Sequence, residues 1–356
     1  MTKLPKDLGV VVIGAGDMGE RHARHWAEAG ARVVAVCDPF LERARTSAAA
    51  VGALALEQPD AALERDDVHA VSVCTPTFLH APYTLQALAA GKHVLCEKPA
   101  ALTMPDALRM KAAAAARGLE LRIGFMRRVD PAHAKLLEFA GRIGAPVLAQ
   151  ATITAGLRPK RLMHDARANG GPIIDMCCHL FDLWETLFGE EPATVTAQGY
   201  TFAEARAEVA DIAHKALDSA QFTLSYPSGG VGQVQVSWGL PSGVAYLERH
   251  SYVGPNGLVL ADWNTDLELR ALGEPERWHT SGADPWRSEI AQFHRELTEG
   301  APRRVAGIEA GIRALRASLA VLHAVAGGET VRVADVGGAP PAIPEDALTE
   351  AQGVAG

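Results

Sequence analysis

Two rhythms of apolar residues divide this chain. From Val10 to Gly124, short unbroken apolar runs (Val10–Ile13, Val33–Cys37, Ala70–Cys74, His93–Cys96 and Leu121–Ile123) alternate with longer stretches rich in Ala, Leu, Arg and Glu (Met18–Ala29, Leu41–Ala50, Leu79–Ala90 and Pro105–Arg117). Continuous apolarity marks strands covered on both faces, and the composition between them favours helix. The alternation predicts a doubly wound α/β domain of the Rossmann type.

After Gly124 the rhythm changes. Pro146–Ala155 reads as extended and Pro172–Phe188 as one helix; strand-like segments then follow one another at Ala193–Phe202, Gln221–Tyr226, Val231–Trp238, Ala245–Val253, Leu258–Trp263 and Leu267–Leu272. The turns at Pro227–Gly230 and Pro255–Gly257 join neighbours directly, which predicts a large, mainly antiparallel sheet in an α+β domain. Helices at Pro285–Glu299 and Ile308–Ala326 and a short strand near Val331–Val333 close the fold. Expected boundaries are 1–125 for the dinucleotide-binding domain, 126–336 for a substrate-binding and oligomerisation domain, and 337–356 for a loosely attached tail.

Composition narrows the function classes. A chain of 356 residues is long enough for two cores, and 48% hydrophobic with 21% charged residues is a globular balance. Net charge of −8, without a run of Lys or Arg, argues against nucleic acid. No stretch of some 18 apolar residues could span a membrane. The five cysteines lack disulfide spacing, and Cys37, Cys74 and Cys96 end apolar runs as small hydrophobes would, so a cytoplasmic protein is expected.

The first chemical signal is Gly14, Gly16 and Gly19, a GxGxxG set directly after a strand and before a helix. The first allows a tight turn, the second lets backbone approach a pyrophosphate, and the third permits close helix packing. Asp38 ends the second strand, where a carboxylate accepts hydrogen bonds from ribose hydroxyls and repels a 2′-phosphate. With no arginine beside it, NAD is expected over NADP; capping of the next helix is the structural alternative.

Two further constellations carry chemistry. Glu97-Lys98-Pro99 follows the fourth apolar run, where parallel sheets bind ligands, and Pro99 restricts Lys98 to extended backbone with a cis bond possible. Asp175 and His179, with Asp182 beyond, lie in Pro172–Phe188; at i and i+4 of one helix they would share a face, so that the carboxylate orients the imidazole.

At these residues the chain resembles the glucose-fructose oxidoreductase, inositol dehydrogenase and rhizopine-catabolism family, Gfo/Idh/MocA. The resemblance runs from Gly14-Ala15-Gly16-Asp17-Met18-Gly19 through Cys74-Thr75-Pro76 and Gly91–Pro99 to Gly170–Asp175 and His179–Asp182. It implies Lys98, Asp175 and His179 as the catalytic group. It also implies Asp17, Met18, Thr75, Pro76, His80 and Glu97 beside the glycines, Asp38 and Lys98 in the cofactor site. Gly124–Arg128 resembles the strand that crosses into the second domain, which places Met126 and Arg127 at the substrate, with Arg158, Lys98, Asp175 and His179. Cys177 stands where many members have glycine, and Thr152–Arg158 lacks the His-Arg-Asn of inositol dehydrogenases, so the resemblance implies a polyol without naming it.

The implied reaction is oxidation of a secondary hydroxyl, with His179 as base, Asp175 holding it and Lys98 stabilising charge on oxygen. Alternatives are a redox-neutral enzyme that returns the hydride to a glycoside and a non-catalytic NAD- and sugar-binding regulator. The cluster Arg158, Lys160, Arg161, His164, Asp165 and Arg167 suggests a polar loop over the substrate. No metal is expected, because adjacent Cys177 and Cys178 converge poorly on one ion with His179. A dimer or tetramer is expected through the second sheet, whose outward residues on Val231–Trp238 and Ala245–Val253 would otherwise expose a large apolar patch.

Overall fold

The computed structural model of the protein describes residues 3–262, 266–271, 275–279 and 282–337. Within these, strands β1 (Gly9–Ile13), β2 (Arg32–Cys37), β3 (Leu54–Leu56), β4 (Ala70–Val73), β5 (His93–Cys96) and β6 (Leu121–Ile123) form a parallel sheet in the order β3-β2-β1-β4-β5-β6. Val10, Val11 and Val12 are fully buried because β1 sits mid-sheet with helices on both sides. Those helices are α1 (Asp17–Glu28), α2 (Leu41–Ala49), the short α3 (Asp60–Leu63), α4 (His80–Ala89) and α5 (Met104–Arg117). The last begins where the Thr103 hydroxyl accepts from the Asp106 N–H and ends at Gly118, whose φ is +62°. Strand order reverses between β1 and β4, opening a crevice at the carboxyl ends of the strands. Among the strands and helices of this first sheet only β3 and α3 were not anticipated: at three and four residues they are too short to show a period.

The second sheet is assembled from β7 (Leu148–Gly156), β8 (Thr194–Tyr200), β9 (Ser219–Ser225), β10 (Val231–Leu240), β11 (Leu247–Gly254), β12 (Gly257–Asp262), β13 (Asp266–Ala271), β14 (Glu276–His279) and β15 (Val331–Arg332). Their order is β14-β13-β12-β11-β7-β10-β9-β8-β15, antiparallel except where β7 pairs with β10. Helices α6 (Pro131–Ile143), α7 (Gly171–Asp175), α8 (Cys177–Phe188), α9 (Pro285–Thr298) and α10 (Ile308–Gly327) complete the chain. The sequence reading overlooked α6, although Asp130 caps it through the Ala132 N–H (2.8 Å) and Leu136, Phe139 and Ile143 form its buried face. The expected single helix over Pro172–Phe188 is broken at Met176 into α7 and α8. The crossing segment is a 3-10 turn, Met126–Val129, and not a strand.

One face of this sheet packs Ala151, Ile153, Phe222, Val234, Val236 and Tyr252 beneath the helices. The open face differs from expectation. Leu148, Val231 and Val253 stand together at one margin, but the middle rows carry Gln150, Gln233, Gln235, Thr152 and Arg249, so the surface is mixed and not a broad apolar patch.

From Pro285 the chain returns to the first sheet. Ile290, Phe293 and Leu297 of α9 are buried with Val10, Val12 and Trp26, each contributing about 1.5–3 kcal/mol by burial. Helix α10 packs against α5, α8 and β8, fastening the two sheets together. Among the described residues no helix is long and apolar enough to cross a membrane. Of the expected tail, 337–356, all but Gly337 lies outside the described residues, as do Trp263 and Leu272 of the expected strands.

Candidate active site

The dinucleotide end of the crevice is built from absent side chains. At Gly19 a Cβ would lie 1.7 Å from the Gly14 carbonyl oxygen; at Gly14, with φ +97°, it would lie 2.5 Å from the Cys74 carbonyl oxygen. Nothing stands within 4 Å of where a Gly16 Cβ would be. Gly16 caps α1 without a side chain, so first-turn N–H groups and the positive helix end face that space. Asp38 accepts from the Ala15 N–H (2.8 Å) through one oxygen and the Phe40 N–H (2.9 Å) through the other, which joins it to the glycine turn as well as to the entry of α2. Each oxygen keeps a lone pair for ribose. The Thr75 hydroxyl oxygen is buried without a partner beside this space. Open cradle, free helix end and orphaned hydroxyl fit a dinucleotide.

The other end is built from buried charges. The Lys98 ammonium donates to the Asp175 carboxylate (2.6 Å) and to the Asp175 carbonyl oxygen (3.1 Å), and the Lys98–Pro99 peptide is cis. Burial alone would lower the lysine pKa, but the Asp175 charge outweighs it and holds Lys98 above the ordinary range, as an ammonium. The Asp175–His179 pair expected from i, i+4 spacing does not form. Asp175 closes α7 and His179 belongs to α8 beyond the break at Met176, so the carboxylate faces Lys98. His179 lies edge-on to Phe125 (ring centroids 5.9 Å apart), 6% exposed, its Nδ1 buried without a partner. Burial first, then the charges of Lys98 and Arg127, push its pKa well below that of free histidine, against an opposing pull from Glu248. A neutral imidazole beside an ammonium can take a hydroxyl proton while the ammonium stabilises the oxygen.

Around this pair lie Glu248, Tyr246 and His250, which the sequence reading did not single out, and the expected Arg127 is tied to them. Both Arg127 terminal nitrogens donate to Glu248 (2.7 Å each), and Glu248 also receives the Tyr246 hydroxyl and pairs with His250 Nε2 (3.1 Å). Burial would raise the Glu248 carboxyl, but Arg127 outweighs it and keeps it well below the usual carboxylate range. Arg127 is therefore charge-compensated, and it lies close enough to depress His179. Arg128 grips both oxygens of Asp182 (2.9 and 3.0 Å), tying the crossing turn to α8. The one signal in the sequence was register: Glu248, His250 and Tyr252 occupy the inward positions of β11, where a polar row demands partners.

Other expected site residues are placed differently. His80, 2% exposed, faces the carbonyl oxygens of Pro99 (2.7 Å) and Thr75 (2.9 Å) with its two ring nitrogens, so it braces those turns and offers a cofactor neither nitrogen. Glu97 turns inward to His22 (3.0 Å) and the Lys98 N–H (3.1 Å), which makes it a support of the cofactor site. Gly16, Asp17 and Pro76 are exposed at the mouth; Met18, Thr75 and Met126 are half-buried. In the polar segment, Lys160 reaches Asp17 (2.8 Å), carrying that loop to the glycine turn, whereas Arg161 turns away to Asp211. Arg158 lies 5.5 Å over the Trp238 ring with its Nε buried and unpartnered.

Residues 8–125 match the oxidoreductase family described as having an NAD-binding Rossmann fold, and residues 132–254 match the GFO/IDH/MocA C-terminal domain. The chain belongs to the Gfo/Idh/MocA family. It is an oxidoreductase of CH–OH groups that uses a nicotinamide cofactor. Inositol 2-dehydrogenase 4 of Saccharopolyspora erythraea is 31% identical over 318 residues, 85% of this chain and 87% of that one. An oxidoreductase domain protein from Kribbella flavida superposes with TM-score 0.81 at 25% identity, covering 92% of this chain and 99% of that one. UDP-N-acetylglucosamine 3-dehydrogenase from Acidithiobacillus ferrooxidans superposes with TM-score 0.77 at 29% identity, covering 90% and 98%. In this Gfo/Idh/MocA chain the glycine turn and Lys98 follow the carboxyl ends of two strands of the same parallel sheet, β1 and β5.

Proposed function

We propose that this protein oxidises a secondary hydroxyl on the ring of a sugar, sugar derivative or cyclitol, with NAD preferred over NADP. The observation that carries the reading is the buried Lys98–Asp175 ion pair beside a partner-free His179 held neutral. Lys98, Asp175 and His179 form the catalytic group. His179 accepts the hydroxyl proton; Lys98, fixed as a cation by Asp175, hydrogen-bonds the same oxygen as negative charge develops. When bound, the nicotinamide supplies the hydride acceptor. Arg127, Met126 and Arg158 wall the substrate side. That relatives include an inositol 2-dehydrogenase and a UDP-N-acetylglucosamine 3-dehydrogenase supports ring hydroxyls as the class. NAD preference is supported by Asp38, whose charge repels a 2′-phosphate.

The test is NADH absorbance across cyclitols, aldoses, sugar phosphates and glycosides with NAD and with NADP. Net NADH from a polyol or sugar is expected. Glycoside cleavage without net NADH would replace this reading with the redox-neutral one, and binding without turnover would replace it with the regulator. The open face of the second sheet, where Leu148, Val253 and Leu260 stand exposed among polar neighbours, is also proposed to seat a second copy; a monomer by light scattering at micromolar concentration would refute that.

A further inference from the structure

Behind Lys98 lies a buried polar chain that the reaction itself does not use. His22 of α1 is fully buried, its Nε2 3.0 Å from one Glu97 oxygen and its Nδ1 3.2 Å from the Ser72 hydroxyl, which also accepts the Trp26 indole N–H (2.7 Å). One arrangement gives every donor an acceptor: Nε2–H on Glu97, the Ser72 O–H on Nδ1, and the indole N–H on Ser72. The second Glu97 oxygen accepts the Lys98 backbone N–H (3.1 Å). Glu97 is packed from behind by Gly124, where a Cβ would lie 3.2 Å from the carboxyl carbon. The chain therefore begins on the helix whose amino end faces the dinucleotide and finishes on the peptide that presents the catalytic lysine.

We propose that His22 and Glu97 are a positioning pair that couples α1 to the turn carrying Lys98, so that the lysine is aligned against Asp175 by the dinucleotide-binding helix itself. This rests on the reading of Lys98 as a catalytic group. Burial opposes a charged Glu97, but the hydrogen bond from His22 and the nearby Lys98 ammonium outweigh it and keep the carboxyl below its ordinary range. Without His22 the carboxylate is buried and half-partnered, so it protonates or turns away, and its hold on the Lys98 N–H weakens. The ammonium is then displaced from its aligned position although every catalytic residue is present.

The experiment compares wild type, His22→Leu, His22→Gln and Lys98→Ala, using the panel substrate with the highest rate, and NADH fluorescence titration without substrate. His22→Leu is expected to lose roughly 10²-fold in kcat, the scale for misplacing a catalytic group by about 1 Å, with NADH Kd shifted less than about threefold. His22→Gln, which restores a donor near the Nε2 position, recovers most of the loss. If His22→Leu does not fold, Glu97→Gln carries the comparison with the same kcat-selective loss expected. Full kcat in His22→Leu with Lys98→Ala inactive overturns the coupling and leaves the catalytic assignment standing; full kcat in Lys98→Ala overturns that assignment instead. A His22→Leu loss matched in NADH affinity and unrelieved by Gln also overturns the coupling, because it reports a damaged sheet.

Discussion

The two ends of the crevice are made of opposite materials. At the dinucleotide end the material is backbone: glycines that leave room, a helix end without a side-chain cap, and one carboxylate that joins turn to strand. At the proposed hydride end the material is side-chain charges taken out of water and held in pairs, Lys98 with Asp175 and Arg127 with Glu248. A backbone site tolerates loss of charge and fails when volume is added. A charge-pair site tolerates modest repacking and fails when one partner is removed, because the survivor is left uncompensated. Substitutions of the two kinds should therefore separate binding from turnover.

The largest separation is expected from Lys98→Ala and His179→Ala. Each should lower kcat by roughly 10²–10⁴ while NADH affinity, read by fluorescence titration, stays near wild type. Parallel loss of binding and turnover would mean that the hydride end also holds the cofactor, and the contrast between the ends would collapse.

Adding one methyl group at the opposite end is the counterpart. Gly19→Ala sets a Cβ 1.7 Å from the Gly14 carbonyl oxygen, so the turn must move; NADH affinity is expected to fall roughly 10–100-fold, with a lowered Tm from about 1–3 kcal/mol of overpacking. Unchanged NADH affinity with a normal Tm would show that the turn is not where the pyrophosphate sits.

The same contrast explains what the sequence could disclose. GxGxxG and Asp38 span Gly14 to Asp38 within one strand–helix–strand unit, so spacing alone is enough to predict a backbone site there. The partners of the charge pairs lie 77 and 121 residues apart, joined only when the second sheet folds beneath α7 and α8. That distance is why Asp175 was assigned to the nearby His179, and why Glu248 went unnoticed. Helix α6 is a different omission, since both its Asp130-Pro131 start and its apolar stripe are local features of the sequence.

Asp38→Ala should have a smaller effect, because it removes one hydrogen-bonding charge and moves no backbone by force. The Michaelis constant for NAD is expected to rise roughly tenfold while that for NADP improves in relative terms. The ratio of kcat/KM for the two cofactors is the measurement. A ratio that does not change would assign Asp38 to the Ala15 and Phe40 N–H groups alone, as a brace of the loop.

The finest test uses pH, because the two catalytic groups are displaced in opposite directions. His179 is pushed well below ~6.5 by burial and by the Lys98 and Arg127 charges, so kcat/KM for oxidation should begin to fall only below that pH, as the base becomes protonated. This lowers the acidic limb from the place that pairing with a carboxylate would give it. Lys98 is held above ~10.4 by Asp175 against its own burial, so the ammonium persists through neutral and mildly alkaline pH. Asp175→Asn removes the charge that raises Lys98 and leaves the burial that lowers it. The alkaline limb should therefore move to lower pH while the acidic limb, set by burial and by the Lys98 and Arg127 charges against Glu248, stays in place. Profiles of wild type and Asp175→Asn with one accepted substrate, and NADH titration at each pH as the control, decide between the two partners. A shifted acidic limb with a fixed alkaline one would return Asp175 to His179 and break the Lys98 pair as the organising contact of the hydride end.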